Sequence, residues 1–167
     1  MNKIKKLRIL AFVLLFVWMI CIFAFSSQNA EDSSQTSGGI VDFVIKIVCP
    51  EYNSMPTAEQ VSIADTVSFI VRKTAHFTEY FILGLLSVLS AITFSKYKIK
   101  FRASGAFLFC VLYSISDEIH QYFVPGRACR FFDMLVDSSG SLLAIVIVTL
   151  IVIKSRKICS KLGDINA

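Results

Sequence analysis

Several signatures of soluble enzymes and metal proteins are absent from this sequence. Charged residues make up only 17% of it, and no long stretch alternates as a half-buried strand does. Its five cysteines form no CxxC pair and no Cys/His zinc spacing, and neither GxSxG nor HExxH occurs. Basic residues are not interleaved with aromatic ones, so the net charge of +5 does not indicate nucleic-acid binding. These absences leave no standard sequence signal for a hydrolase, a zinc site or a nucleic-acid partner.

Long apolar runs dominate instead. The chain is 55% hydrophobic, contains 15 Phe and has a mean hydropathy of +0.67. Each run is close to the roughly 20 residues that cross about 30 Å of hydrocarbon. The sequence therefore predicts an all-α integral membrane protein with one domain over residues 1–167 and four transmembrane helices, at residues 7–25, 75–94, 103–122 and 134–153.

Basic residues predict the orientation of these helices. Most Lys and Arg residues lie before the first run, between the second and third, or after the fourth. The positive-inside rule then places both termini in the cytoplasm and residues 26–74 outside. The first run is bulky and lacks a small-x-small cleavage site, which favours an uncleaved anchor over a signal peptide.

The external segment is predicted to contain a loop, a short helix and the start of a longer helix. Ser26–Gly39 is polar and is expected to be a loop. Ile40–Val48 has one apolar face but is too short to span, which favours an interfacial or re-entrant helix. Thr57 with Gln60 predicts a capping box that starts a helix leading into the second span. Cys49 and Cys129 are both external, and the sequence leaves open whether they pair.

Three of the apolar runs carry a polar stripe at their outer end. A charge at mid-bilayer costs roughly 2.5–3.5 kcal/mol, so such groups are candidates for a functional site. Three- and four-residue spacing places each set on one helix face. We therefore expect a single outward-facing polar pocket built from Arg72, His76 and Glu79, from Ser114, Asp117 and Gln121, and from Asp133, Asp137 and Gly140.

Candidate roles follow from residue chemistry. His76, Glu79, Asp117 and Glu118 are expected at the centre of the pocket, and they are the catalytic candidates if the protein is an enzyme. A structural reading, in which acids and bases pair only to lock the helices, is favoured for Lys73, His120 and Asp133 taken singly. The expected ligand-binding residues are Arg72, Lys73, His76, Glu79, Gln121, Arg127, Asp133 and Asp137.

The charged stretches also resemble a known family, the VanZ-like proteins, which are named for a protein associated with resistance to the glycopeptide teicoplanin. The resemblance implies a multi-pass protein of the bacterial cytoplasmic membrane that is connected to the cell envelope. In the family, the position of Asp137 is often Asn. The matching residues are Phe25-Ser26-Ser27-Gln28, Arg72-Lys73-x-x-His76-Phe77-x-Glu79-Tyr80 with Leu83-Gly84, Ser116-Asp117-Glu118-x-x-Gln121 with Pro125-Gly126-Arg127, and Asp133-x-x-x-Asp137-x-x-Gly140.

Three functions are compatible with this pattern. The first is binding of an envelope lipid, an envelope precursor or a glycopeptide-related molecule, with Arg127 recognising phosphate or carboxylate. The second is an intramembrane hydrolase or transferase in which His76 is the base and Glu79 or Asp117 orients it. The third is lipid transport, for which a homodimer would have to supply the pathway. No cofactor is evident, although His76, Asp117, Glu118 and Asp137 could hold a divalent cation.

Overall fold

The computed structural model describes residues 3–94 and 96–165, with side chains given as far as Ile158 except those of Ala30 and Lys157. Three residues that follow the predicted fourth span therefore lie outside the described side chains: Lys157, Cys159 and Lys161. Five α-helices and a short 3₁₀ turn account for the fold, and the described ranges contain no β-strand. The helices are α1 (Lys3–Ser26), α2 (Ala30–Val48), α3 (Thr57–Ile92), α4 (Ile99–Tyr122) and α5 (Phe131–Ile165).

Four of these helices are long and apolar enough to cross a membrane: α1, α3, α4 and residues Phe131–Arg156 of α5. The predicted all-α fold with four spans is thus confirmed. The helix α3 has 36 residues and is about 54 Å long, well beyond the roughly 30 Å of a hydrocarbon core. Its first turns therefore project from the bundle as an extension.

The helices run up and down, so the start of α1 and the end of α5 lie at the same end of the bundle, the terminal end. At this terminal end, Arg8 of α1 donates from Nη2 to the Thr93 carbonyl over 3.0 Å. Nearby, Arg102 of α4 donates from Nη1 to the Ile92 carbonyl over 2.9 Å. At the opposite end, Arg127 after α4 donates from Nε to the carbonyl of Gln28 over 3.2 Å.

The helix α2 corrects the expectation for the external segment. The loop predicted at Ser26–Gly39 is limited to residues 27–29, and the helix predicted at Ile40–Val48 is present but begins ten residues earlier, because residues 30–48 form one continuous helix. The Asn29 side chain caps it by accepting from the Asp32 amide over 2.8 Å. Serine and threonine hydroxyls bond back along the helix, as Ser37 does to the Ser33 carbonyl. The polar composition was therefore compatible with a helix.

The apolar face of α2 packs on the extension of α3. Val41 and Ile45 bury their side chains against Val67. The capping box predicted at Thr57 and Gln60 was wrong, since α3 begins after Pro56 without a side-chain cap and Gln60 donates to the Met55 carbonyl. From there, α3 continues unbroken into the second span, as expected.

The thiols of Cys49 and Cys129 are free. Cys49 is half-buried, with its Sγ 3.8 Å from the Met55 Sδ, and Cys129 is exposed in the loop between α4 and α5. The Cys49–Cys129 disulfide that the sequence left open is therefore not formed in this structure.

Two glycines let α3 and α5 touch backbone to backbone. A Cβ added at Gly84 would lie 2.5 Å from the Ser141 carbonyl oxygen, and one added at Gly140 would overlap the carbonyl oxygen of Phe77. Small residues permit such close approach of membrane helices. Gly84 and Gly140 therefore allow the close packing of α3 and α5.

Adding a single methyl group at this contact should separate α3 from α5. We expect Gly140→Ala to destabilise the protein by about 1–3 kcal/mol, because the new Cβ meets backbone that cannot rotate away. Thermal unfolding in detergent measures the effect. The matched control is Gly105→Ala, where the new Cβ has no atom within 4 Å and helix propensity improves. Equal melting temperatures for the two variants would contradict the packing argument.

Candidate functional site

The three polar stripes meet at the end of the bundle opposite the chain termini. Asp137 of α5 is fully buried there between the other two helices. One of its oxygens lies 3.4 Å from Nδ1 of His76 on α3. The other accepts from the Ser114 hydroxyl of α4 over 2.9 Å. The face-to-face arrangement that helical spacing predicted for these helices is thus present.

A polar chamber lies next to this cluster. It consists of two adjoining cavities of about 160 and 200 Å³. The deeper cavity reaches Glu79 and Asp117, and the outer one reaches Lys73, Arg130 and Asp133. Asp117 also accepts a hydrogen bond of 3.1 Å from the Gln121 amide. Residues that line both cavities are Ser33, Ser37, Arg72, His76, Gln121 and Arg127.

Guanidinium groups give the chamber a positive mouth. Arg72 and Arg127 line both cavities and Arg130 lines the outer one, yet none of the three forms an ion pair with any carboxylate that the structure describes. Burial lowers the pKa of Arg127 below its ordinary value, and the nearby charge of Arg72 lowers this pKa further. The nearby carboxylates of Asp117, Glu118 and Glu79 oppose this lowering of the pKa without reversing it.

Two further charged residues of the outer cavity pair with each other. Lys73 of α3 forms an ion pair with Asp133 at the start of α5, and both side chains are largely buried. The Lys73 ammonium also lies 5.3 Å from the ring centre of Phe69. The ion pair joins α3 to α5, the two helices that Gly84 and Gly140 bring together. It agrees with the structural reading of Lys73 and Asp133.

Two charged residues singled out in the sequence lie away from the chamber. Glu118 is fully buried behind it and accepts the backbone N–H of Arg130 over 2.8 Å, which anchors the loop between α4 and α5. His120 contacts the Ser27 hydroxyl over 3.1 Å and packs on the ring of Phe23 at 4.6 Å. Both side chains connect parts of the bundle, and neither lines the cavities.

Sequence reasoning missed the wall that α2 contributes. Ser33 and Ser37 line both cavities, and Val41, one further turn along, also lines the outer one. Their four-residue spacing places all three on one helix face, which was the available signal. Assigning the segment as a loop concealed it.

The structure adds no support for a bound metal ion. Among the described side chains, no three or more of His, Cys, Asp and Glu are placed to hold one. His76 and Asp137 contact each other directly, and Glu118 faces away from Asp117 toward Arg130.

The fold and the site define a helical membrane protein of four spans with charged groups buried between its helices. A model of the VanZ/LLP1 family matches residues 11–152, so the chain belongs to the VanZ/LLP1 family. This confirms the resemblance seen in the charged stretches, and the match includes every residue of the chamber. No curated protein and no solved structure matches the chain.

The Lys73–Asp133 pair yields a test of the structural reading. Removing one member leaves the other charge buried and alone, at a cost of about 3–5 kcal/mol, whereas removing both avoids that penalty. We expect Lys73→Met or Asp133→Asn alone to lower the melting temperature more than the double substitution does. Lys46→Met, an exposed basic residue on α2, is the control. Additive losses in the double variant would show that the pair is not coupled.

Proposed function

We propose that the polar chamber opens to the outside of the bacterial cytoplasmic membrane and binds the phosphate-bearing head group of an envelope lipid. The observation that carries this proposal is the set of three guanidinium groups, Arg72, Arg127 and Arg130, that have no carboxylate partner among the described residues. Guanidinium forks bind phosphate through paired, charge-assisted hydrogen bonds. A bound phosphate would supply the missing negative charge.

The floor and the side of the chamber suit the rest of a lipid molecule. Glu79 and Asp117 line the deeper cavity, where their oxygens can accept from hydroxyl or amine groups of a head group. Phe25, Ile40 and Val71 line the same cavity, and the first two are exposed. A lipid tail can leave the chamber along these side chains toward the membrane.

The proposal includes the orientation of the protein in the membrane. Basic residues flank the spans at the terminal end, which by the positive-inside rule faces the cytoplasm. The chamber lies at the other end, beside α2 and the extension of α3, and would then face outward. At that level, a head group from the outer leaflet needs no transport to reach Arg127.

A link to glycopeptide resistance rests on the family resemblance. An envelope precursor or a glycopeptide-related molecule also carries carboxylate or phosphate groups that Arg72 and Arg127 would bind. Occupation of the chamber by such a molecule would connect this protein to teicoplanin. Transport and a homodimer stay predictions from the sequence.

The second candidate is hydrolysis or transfer at the head group, and the contact between His76 and Asp137 favours it. Asp137 lies against the buried Nδ1 of His76, so Nε2 is the nitrogen left to act within the chamber. A carboxylate that holds one imidazole nitrogen orients the other as a general base. The sequence had suggested Glu79 or Asp117 for this positioning role, and the 3.4 Å contact with Nδ1 of His76 supports Asp137 for it instead.

Binding is tested with the purified full chain in detergent by calorimetry. A short-chain phosphatidic acid should bind, and the matching diacylglycerol without phosphate should not. We expect Arg127→Gln to weaken binding of the phosphatidic acid about tenfold, the equivalent of one charge-assisted hydrogen bond. Arg156→Gln, an exposed arginine near the terminal end, should leave binding unchanged. Equal binding of both lipids, or equal effects of both variants, would reject the proposal.

The same incubation separates binding from catalysis. If the chamber only binds, the lipid is recovered unchanged after long incubation. If it catalyses, a new lipid or released phosphate accumulates, and His76→Ala abolishes this product while Arg127→Gln reduces its rate through weaker binding. A product that persists in His76→Ala would contradict the assigned base.

The exposed thiol of Cys129 tests the orientation. A variant that retains Cys129 while Cys21, Cys49, Cys110 and Cys159 are replaced by Ser should react with a membrane-impermeant maleimide in intact cells. Adding Cys129→Ser should remove the signal. Labelling that appears only after permeabilisation would place the chamber in the cytoplasm.

A further inference from the structure

A second cavity lies at the terminal end, where α1 and α4 diverge. The contacts that join these two helices, from Tyr113 to the Met19 carbonyl and from His120 to Ser27, lie toward the opposite end. Between them and α3, a cleft of about 640 Å³ remains, within the range of small-molecule sites. Its walls are mainly aromatic and come from Phe12, Phe94, Tyr97, Phe101 and Phe109.

One charged side chain lines this apolar cleft. Arg102 is only 6% exposed. Its Nη1 donates to the carbonyl of Ile92, but its buried Nε has no hydrogen-bond partner, and no described carboxylate forms an ion pair with it. The carbonyl at the end of α3 offsets only part of a buried positive charge, so a full negative charge is still missing.

Among the described side chains, no acid is placed to supply that charge. Apart from Asp164, whose side chain lies outside the described residues, every Asp and Glu falls within residues 31–79 or 117–137, toward the opposite end of the bundle. The linker before α4 adds the exposed bases Lys96 and Lys98, and the first turn of α4 adds the exposed Lys100 beside Arg102. The cleft therefore combines an apolar wall with positive charge.

We propose that this cleft binds an anionic phospholipid, with one acyl chain against the aromatic rings and the phosphate on Arg102. The bound lipid would fill the space that α1 and α4 leave open and would pair the buried guanidinium. Arg8 closes one wall, because it donates to Thr93 and lies 4.4 Å over the ring of Phe94. The site is separate from the polar chamber and does not depend on the function proposed for it.

Two substitutions test the two halves of this site. Arg102→Gln removes the charge. Gly105→Phe fills the cleft, because Gly105 lines it and a Cβ there meets no atom within 4 Å. Gly105→Phe also leaves the bond from Arg102 to Ile92 in place, so it stays informative if Arg102→Gln fails to fold. Lys100→Gln, an exposed base on the same helix turn, is the matched control.

The measurement is native mass spectrometry of the full chain, released from detergent with equal amounts of phosphatidylglycerol and phosphatidylcholine. We expect phosphatidylglycerol to be bound preferentially, and this preference to fall about tenfold in Arg102→Gln. Gly105→Phe should lose the bound lipid, and Lys100→Gln should match the wild type. Repeating the series with Arg127→Gln added reduces the contribution of the polar chamber about tenfold.

Three results would overturn the proposal. The first is equal binding of the two lipids by the wild type. The second is unchanged binding in Gly105→Phe, since the chain would then not occupy the cleft. The third is an equal loss in Lys100→Gln and Arg102→Gln, which would show attraction to the basic surface as a whole and no site at Arg102.

Discussion

The backbone contact between α3 and α5 determines where the charged groups of this protein lie. Gly140 is one turn beyond Asp137 on the same face of α5, and it rests against the Phe77 carbonyl, one residue from His76. A helix pair that approaches this closely leaves Asp137 no route to solvent and holds it 3.4 Å from His76. The ion pair of Lys73 and Asp133 fastens the same two helices one turn further out. The position, burial and pairing of these charged side chains therefore follow from the close helix contact at two glycines, Gly84 and Gly140.

Three buried acids contact or hydrogen-bond different kinds of group, namely side chains and a backbone amide. Asp137 is held by His76 and Ser114, Asp117 by Gln121, and Glu118 by the Arg130 backbone amide. Groups in low dielectric need such partners, because an unpaired one costs several kcal/mol. The chamber arginines are treated differently, since their guanidinium groups have no carboxylate partner among the described residues. Each of these three acids thus has at least one partner within the fold, although Oε1 of Glu118 has none.

The sequence predicted the spans and the meeting of the stripes because both depend on periodicity alone. Charges at three- and four-residue spacing inside apolar runs have few arrangements that avoid lipid, and burying them against one another is one of these. The side toward which Glu118 turns was not predictable in this way. It follows Asp117 by one residue, about 100° around the helix, so the two side chains face different neighbours. Only the path of the loop through Arg130 shows which neighbour Glu118 finds.

The sequence did not predict the first half of α2 as a helix, and the physical reason is a different one. Serine-rich segments usually indicate loops because their hydroxyls compete for backbone groups. Here the hydroxyls of Thr36 and Ser37 bond to carbonyls one turn back, so the same chemistry is satisfied within a helix. What stabilises that helix is its apolar half, which packs on the extension of α3. Once Val41 and Ile45 are fixed there, the serines one and two turns earlier must face the chamber, and the polar segment becomes its wall. A polar segment that the sequence predicted to be a loop is in this way part of the candidate site.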